Sequence, residues 1–160
     1  MTIRLATPKD AEAIAELESI CFPAAEAAGR ETFEKRLNVY PRHFALAEEN
    51  GKIISLVNGL ATDKEDLTDE MFADTSYHCE KGDWQMIFGV ETHPDYQGKG
   101  IAGEVLKFYI DKAEQEGRKG LVLTCKDKLV GFYERFGFVS EGISSSEHGG
   151  AVWYQMRLTF

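Results

Sequence analysis

One short glycine-rich segment constrains the fold of this chain more than any other feature. It covers residues 93–103 and has the sequence His-Pro-Asp-Tyr-Gln-Gly-Lys-Gly-Ile-Ala-Gly. It joins a predicted strand at 84–92 to a predicted helix at 100–116. Its glycines let the backbone approach a ligand closely, and the free N–H groups at a helix start bind anions. Since Lys99 adds positive charge, the segment predicts a cradle for a pyrophosphate; the alternative is a tight turn without a ligand.

Apolar periodicity predicts seven strands and four helices in the order β-α-α-β-β-β-α-β-α-β-β, an α/β fold with a mixed sheet. The predicted strands cover residues 2–6, 43–48, 52–62, 84–92, 120–125, 138–143 and 151–158, and the helices cover 8–22, 31–39, 100–116 and 129–136. Asn50-Gly51 predicts a hairpin. Residues 63–82 form a long polar connection with one helical turn near 67–72, and long connections are often functional.

Two helices show apolar stripes that are expected to face the core. The stripe residues are Ala11, Ile14, Leu17 and Cys21 in the first helix and Ile101, Val105, Phe108 and Ala113 in the third. Thr7 is the predicted N-cap of the first helix, with Pro8 at its first position.

Composition limits the class of protein. A chain of 160 residues with 43% hydrophobic residues suits one domain with one core. The net charge of −9 argues against nucleic acid or an anionic membrane as a partner, because both require a basic face. Three isolated cysteines predict neither a disulfide framework nor a metal site, and no stretch matches a signal peptide or membrane span. We therefore expect a cytoplasmic protein.

Other phosphate-binding motifs fit the glycine segment less well. Gly98, Gly100 and Gly103 satisfy G-x-G-x-x-G, the fingerprint of dinucleotide-dependent oxidoreductases. That fingerprint follows the first strand of repeated βαβ units, whereas two helices and a hairpin come first here. The Walker pattern G-x-x-x-x-G-K-[ST] is absent.

Two motifs resemble signatures of the GNAT superfamily of acyl-CoA-dependent N-acetyltransferases. Gln97-x-x-Gly100-x-Ala102 is similar to its Q/R-x-x-G-x-G/A signature, and residues 132–138, Phe-Tyr-Glu-Arg-Phe-Gly-Phe, resemble its Y-x-x-x-G-F motif. Residues 125–133 are most similar to the arylalkylamine N-acetyltransferase branch. The resemblance implies a single acetyltransferase domain over 1–160, with a mostly antiparallel seven-stranded sheet, about four flanking helices and a splay between strands 4 and 5.

The resemblance implies acetyl-CoA as cosubstrate. Loop amides would hold the pyrophosphate, and the main chain of residues 90–92 would pair with the pantetheine like an added strand and stabilise oxyanion charge. The implied cofactor-binding residues are Val90, Glu91, Thr92, Gln97, Gly98, Lys99, Gly100, Ile101, Ala102, Gly103 and Lys126. Lys126 departs from the pattern, since many superfamily members carry Asn there.

Tyr133 is the candidate general acid. Attack of an amine on a thioester expels a thiolate, and a phenol within hydrogen-bond reach of the sulfur can protonate it. From the helix alone, Tyr133 would instead be a core aromatic, as we expect of Phe132 and Phe136.

The sequence leaves the identity of the general base open. An alkylammonium must lose a proton before it attacks. In the arylalkylamine branch two histidines relay that proton, and the matching positions here hold Met86 and Phe88. These two residues suggest an apolar wall for the substrate instead. Glu91 has the opposite parity on that strand, which favours the other face. The remaining candidates are His78, Glu80, His93 (which could instead cap the loop) and His148. His148 lies in the last hairpin loop, which the resemblance implies to border the acceptor site. Ordered water, or direct use of neutral amine, is a further route.

The leading hypothesis is an N-acetyltransferase that moves an acetyl group from acetyl-CoA to a primary amine by direct transfer within a ternary complex. A small-molecule amine is the favoured acceptor, and a protein or peptide amine is the alternative. The alternatives are a non-catalytic acyl-CoA sensor and a nucleotide-dependent oxidoreductase. The resemblance also allows a homodimer.

Overall fold

Nine strands and four α-helices make up the chain, and the computed structural model describes residues 1–160. Internal contacts divide it into two units, residues 1–59 with 89–109 and residues 60–88 with 110–160. Each unit has its own sheet. No helix in the chain combines the length and the apolar character needed to cross a membrane.

The first unit contains an antiparallel sheet with the order β1-β2-β3-β6. Its elements are β1 (Thr2–Leu5), α1 (Ala11–Cys21), α2 (Arg30–Val39), β2 (Phe44–Glu49), β3 (Lys52–Asn58) and β6 (Gly89–Thr92). The predicted hairpin joins β2 to β3, with positive φ at both Asn50 and Gly51, as a tight hairpin turn requires. Ile14, Phe33 and Leu56 are fully buried in its core.

The second unit contains a mixed sheet with the order β4-β5-β7-β9-β8, in which only β5 and β7 are parallel. Its elements are β4 (Ala61–Thr62), β5 (Trp84–Ile87), β7 (Gly120–Cys125), α4 (Val130–Glu134), β8 (Val139–Ile143) and β9 (Tyr154–Thr159). A Cβ on Gly120 would overlap the main-chain carbonyl of Leu158, so the close β7–β9 pairing depends on this glycine. The helix α3 (Ile101–Gln115) leads from the first unit into the second.

The strand predicted at 84–92 is interrupted at Phe88. Its first half, β5, pairs with β7, and its second half, β6, pairs with β3. Pairing with β7 therefore stops at Ile87, which confirms the predicted splay between the fourth and fifth predicted strands. The predicted strand at 52–62 is likewise divided into β3 and the two-residue β4. If β5 and β6 are counted as one strand and the two-residue β4 is left out, the nine strands become the seven that were predicted.

One predicted core position in α3 is wrong. Ile101, Val105 and Ala113 are buried, but Phe108 is 36% exposed. The buried residues of α3 repeat every four positions and include Tyr109. Phe108, one position before Tyr109, lies outside this buried row.

Asp10 fixes the start of the first helical segment. Residues 8–10 form one 3₁₀ turn before α1, and the Asp10 carboxylate accepts hydrogen bonds from the Thr7 N–H (2.8 Å) and from two Arg4 nitrogens (2.9 Å each). These donors hold the pKa of Asp10 below its usual value, with Arg4 the largest cause.

We expect Asp10→Ala to lower the free energy of unfolding by about 1 kcal/mol, the usual net value of a lost hydrogen bond. Because the pKa of Asp10 is lowered by folding, its contribution is complete at neutral pH and disappears as the pH falls through that lowered value. Urea unfolding at pH 7 and pH 3 measures both effects. Glu12→Ala, at an exposed position in the first turn of α1, is the control. A difference from wild type that is unchanged at pH 3 would contradict the electrostatic explanation.

Candidate active site

The lead-in to the glycine loop is fixed by two side chains. The Nδ1 atom of His93 accepts a hydrogen bond from the Asp95 N–H (3.1 Å), so His93 caps the 3₁₀ turn at Pro94–Tyr96 as predicted. The side-chain amide of Gln97 donates to the main-chain oxygen of Thr92 (3.1 Å). The first residue of the Q-x-x-G-x-A motif therefore ties the loop to the end of β6.

Gly98 and Gly100 both have positive φ, 79° and 76°, a conformation that other residues adopt only with strain. A Cβ on either glycine would meet nothing within 4 Å, so the backbone is open on that side. The first hydrogen bond of α3 runs from the Glu104 N–H to the Gly100 oxygen (3.1 Å). The amides of residues 101–103 consequently have no partner within the helix and can bind an anion at its positive end.

Two lysines place positive charge beside this loop. The ammonium groups of Lys99 and Lys52 lie 5.4 Å and 5.9 Å from the centre of the Tyr96 ring. In a chain whose net charge is −9, two ammonium groups around one ring next to a glycine loop suit a doubly charged diphosphate.

The outer edge of β6 is open to strand-like pairing, since β6 is the last strand of its sheet. The His93 N–H donates to the Ile54 oxygen (2.8 Å), and the Glu91 oxygen accepts from the Ser55 hydroxyl (2.8 Å). Because main-chain groups of alternate residues point to opposite sides, those of Val90 lie on the outer edge. The Thr92 oxygen, on the same edge, already accepts from Gln97.

Glu91 is only 4% exposed and lies beside Glu18 of α1. Burial first, and then the Glu18 carboxyl, raise the pKa of Glu91 well above its ordinary value. Its side chain is thus directed toward α1 within the first unit.

Tyr133 is the buried residue of α4, with 6% of its surface exposed. Its ring packs edge-on against Phe132 (5.1 Å between centroids) and Phe138 (5.8 Å). Burial, followed by the nearby Cys125 thiol, raises the pKa of Tyr133, so its phenol stays protonated at neutral pH. Phe132 and Phe136, which we expected in the core, are only half-buried.

Four rings form an aromatic cluster in the second unit: Phe72, Phe88, His148 and Trp153. Phe72 lies 4.5 Å from Phe88 and stacks on His148 at 5.3 Å, and His148 lies 6.0 Å from Trp153, between ring centroids. All four are half-buried. Two predicted substrate residues, Phe88 and His148, are therefore brought together through Phe72, whereas Met86 is fully buried within β5.

Polar contacts support this aromatic cluster. Asp69 accepts hydrogen bonds from the Ser146 hydroxyl (2.5 Å) and the Glu147 N–H (3.0 Å), which fixes the loop before His148. The Lys126 ammonium lies 5.8 Å from the Trp153 ring. Lys126 is thus next to the aromatic cluster, while a pantetheine contact for it stays a prediction.

Comparison with known proteins decides the family. The model of the acetyltransferase (GNAT) family matches residues 11–138, most of the chain. The chain belongs to the GNAT family. It is an acyl-CoA-dependent N-acyltransferase with acetyl-CoA as cosubstrate, and the oxidoreductase interpretation of the glycine segment is wrong.

Individual relatives agree with this assignment. The serotonin N-acetyltransferase of Mesocricetus auratus is 25% identical over 158 residues, which cover 96% of this chain and 75% of the relative. The GphF GNAT-like decarboxylase, solved in complex with isobutyryl-CoA, superposes with a TM-score of 0.84 at 18% identity and 99% coverage of both chains. The ribosomal-protein-S18-alanine N-acetyltransferase of Escherichia coli gives a TM-score of 0.73 at 19% identity, with coverage of 99% and 92%. These two structures share the GNAT fold with the chain, and one fold serves several chemistries.

His78, another candidate base, makes structural contacts. The Nδ1 atom of His78 accepts a hydrogen bond from the Ala61 N–H (3.2 Å), and its Nε2 atom lies 3.3 Å from a Glu80 carboxylate oxygen. His78 therefore anchors the start of β4 to the long connection at 63–82. No local sequence pattern marks Phe72, Trp153 or Glu18 as site residues, because their contacts are with residues distant in the sequence.

Proposed function

We propose that this GNAT enzyme transfers the acetyl group of acetyl-CoA to a small primary amine by direct attack within a ternary complex. The observation that carries the proposal is the glycine loop, whose positive-φ residues and free helix amides form an open anion site. A relative whose name states an activity on serotonin, itself a small primary amine, supports the substrate class.

Acetyl-CoA fits the residues of the first unit. The amides of residues 98–103 would hold the pyrophosphate, with Lys99 supplying charge. The outer edge of β6 at Val90 would pair with the pantetheine amides as an added strand. Since the main chain of Glu91 is directed toward β3, Val90 is the residue of this strand with both main-chain groups available for that pairing.

Transfer requires one acid and one base. The amine nitrogen attacks the thioester carbon, the C–S bond breaks, and the thiolate takes the phenolic proton of Tyr133. The nitrogen loses one proton to solvent, and a proton from solvent restores the Tyr133 phenol. Burial raises the pKa of Tyr133, so its phenol is protonated at neutral pH and can hydrogen-bond the sulfur as negative charge develops there.

The aromatic cluster gives the acceptor an apolar wall. Phe88 and His148 present ring surface that suits the body of an aromatic or aliphatic amine. Polar amines such as amino acids gain little from such a surface. The cysteine content and the family resemblance further predict a cytoplasmic homodimer.

An amine panel tests the proposal. We expect release of free CoA thiol with arylalkyl and alkyl amines, and at least about tenfold lower kcat/KM with hydrophilic amines, because the apolar wall then contributes nothing. Calorimetry with acetyl-CoA runs in parallel. Binding without turnover of any amine would favour the sensor, and absence of binding would overturn the cofactor assignment.

A further inference from the structure

Two lysines of the first unit converge on one aromatic ring beside the glycine loop. The ammonium group of Lys99 lies 5.4 Å from the centre of the Tyr96 ring, and that of Lys52 lies 5.9 Å from it. Lys99 belongs to the loop, whereas Lys52 is the first residue of β3 and stands outside both signature motifs. The fold therefore brings a second cation to the loop from a distant part of the sequence.

The contact between β3 and the lead-in to the loop fixes the position of Lys52. The His93 N–H donates to the Ile54 oxygen (2.8 Å), so the start of β3 runs beside the 3₁₀ turn at Pro94–Tyr96. The Tyr96 ring is held edge-on to the His93 ring, with 5.9 Å between their centroids. Attraction to this ring keeps both ammonium groups near the loop before a ligand arrives, which lowers the entropic cost of binding.

Both ammonium groups are available to an external anion. Lys52 and Lys99 are exposed, and neither forms an ion pair with a carboxylate. In contrast, Lys35, Lys112 and Lys119 each pair with an acidic side chain. In a chain whose net charge is −9, two lysines without acidic partners at one ring form a local positive site. An anionic ligand would supply the missing counter-charge.

The cosubstrate carries one phosphate more than the diphosphate. Coenzyme A has its diphosphate on the 5′ oxygen of the ribose and a phosphate monoester on the 3′ oxygen of the same ring. In the proposed complex, the amides of residues 98–103 and Lys99 hold the diphosphate. The 3′-phosphate then lies beside the loop, and as a monoester it carries about two negative charges at pH 7. It requires a cation from outside the loop.

We propose that Lys52, held at the Tyr96 ring together with Lys99, binds the 3′-phosphate and makes the enzyme select the complete coenzyme A thioester. This inference rests on the proposed placement of the diphosphate on the glycine loop. The dephospho form of coenzyme A lacks the 3′-phosphate, and so does a phosphopantetheine thioester carried by a protein. The site therefore favours a free acyl-CoA donor over either of these.

Calorimetric titration with acetyl-CoA and with acetyl-3′-dephospho-CoA tests the assignment. We expect wild type to bind acetyl-CoA at least about tenfold more tightly, because charge-assisted contacts to phosphate are stronger than neutral ones. This preference should shrink as the salt concentration rises. Lys52→Met keeps an apolar stem and removes the charge, so it should weaken acetyl-CoA binding about fivefold, the upper range for an exposed ion pair. The Kd for the dephospho form should stay the same, and Lys52→Arg should keep the wild-type preference.

Lys9→Met is the matched control, because it removes one exposed lysine charge from the first unit, in the 3₁₀ turn before α1. It should leave both dissociation constants unchanged. In turnover assays, Lys52→Met should raise the KM for acetyl-CoA at an unchanged kcat, since the 3′-phosphate lies away from the reacting atoms. Equal affinity of wild type for the two thioesters, or equal losses for both in Lys52→Met, would overturn this inference alone. If neither thioester binds to wild type, the proposed cofactor placement falls together with this inference.

Discussion

Replacement of Tyr133 by Phe is expected to lower kcat about 100-fold, at the lower end of general acid catalysis, because a thiolate is a moderately good leaving group. The phenyl ring keeps the edge-on contacts with Phe132 and Phe138, so the fold should be unchanged. The Kd for acetyl-CoA should also stay the same, since the lost hydroxyl acts when sulfur becomes charged. Steady-state assays of thiol release measure kcat, and calorimetry measures the Kd for acetyl-CoA.

The pH profile adds a second measurement on Tyr133. A general acid must be protonated, and burial raises the pKa of Tyr133 above the ordinary value for tyrosine. Wild-type activity should therefore not decline through Tyr133 ionisation at any pH below about 10. Tyr77→Phe, at a half-buried tyrosine in a 3₁₀ turn, is the matched control and should keep full activity. A rate in Tyr133→Phe equal to that of the control would remove Tyr133 as the acid.

Local patterns predicted most of the fold because the determinants are local. Asn50-Gly51 specifies the hairpin through its positive φ values. The short continuous apolar run within residues 120–125 specifies the buried strand β7. The glycine loop was also predictable, since glycines, a capping histidine and a helix start occur within eleven consecutive residues.

The break at Phe88 could not be predicted from local patterns. Residues 84–92 form one continuous run with high strand propensity, and nothing in that run indicates that its halves pair with different strands. The first half pairs with β7 and the second half pairs with β3. Each partner strand is more than thirty residues away in the sequence. Long-range pairing of this kind decides the register of a sheet and leaves no short-range signal.

Some residues of the candidate site could be predicted from local motifs, and others depend on long-range contacts. Residues of the glycine motif were identified directly, whereas the aromatic cluster depends on Phe72, which lies in the connection at 63–82 and contacts Phe88 and His148. Glu91 was one of several open candidates for the base, and its burial beside Glu18 is visible only in the structure. A contact between residues 73 positions apart in the sequence has no signature in a single chain.

The double variant Gly98→Val/Gly100→Val is expected to weaken acetyl-CoA binding about 100-fold. Both glycines have φ near +78°, where a side chain costs about 1–2 kcal/mol per residue and a β-branched one is strongly disfavoured. The loop would relax to negative φ, and its bound form would then cost about 3 kcal/mol to restore, which corresponds to about 100-fold in Kd.

A matched control separates strain from loss of the cofactor site. Gly117, after α3, has φ of 78° and no atom within 4 Å of a Cβ position, so Gly117→Val introduces similar strain outside the loop. It should lower the melting temperature while the Kd for acetyl-CoA is retained. Calorimetric titration of wild type, the double variant and the control decides the matter. Equal affinity in all three would show that the amides of residues 98–103 do not hold the diphosphate, because a cradle formed by main-chain N–H groups cannot survive a change in the dihedral angles that aim them.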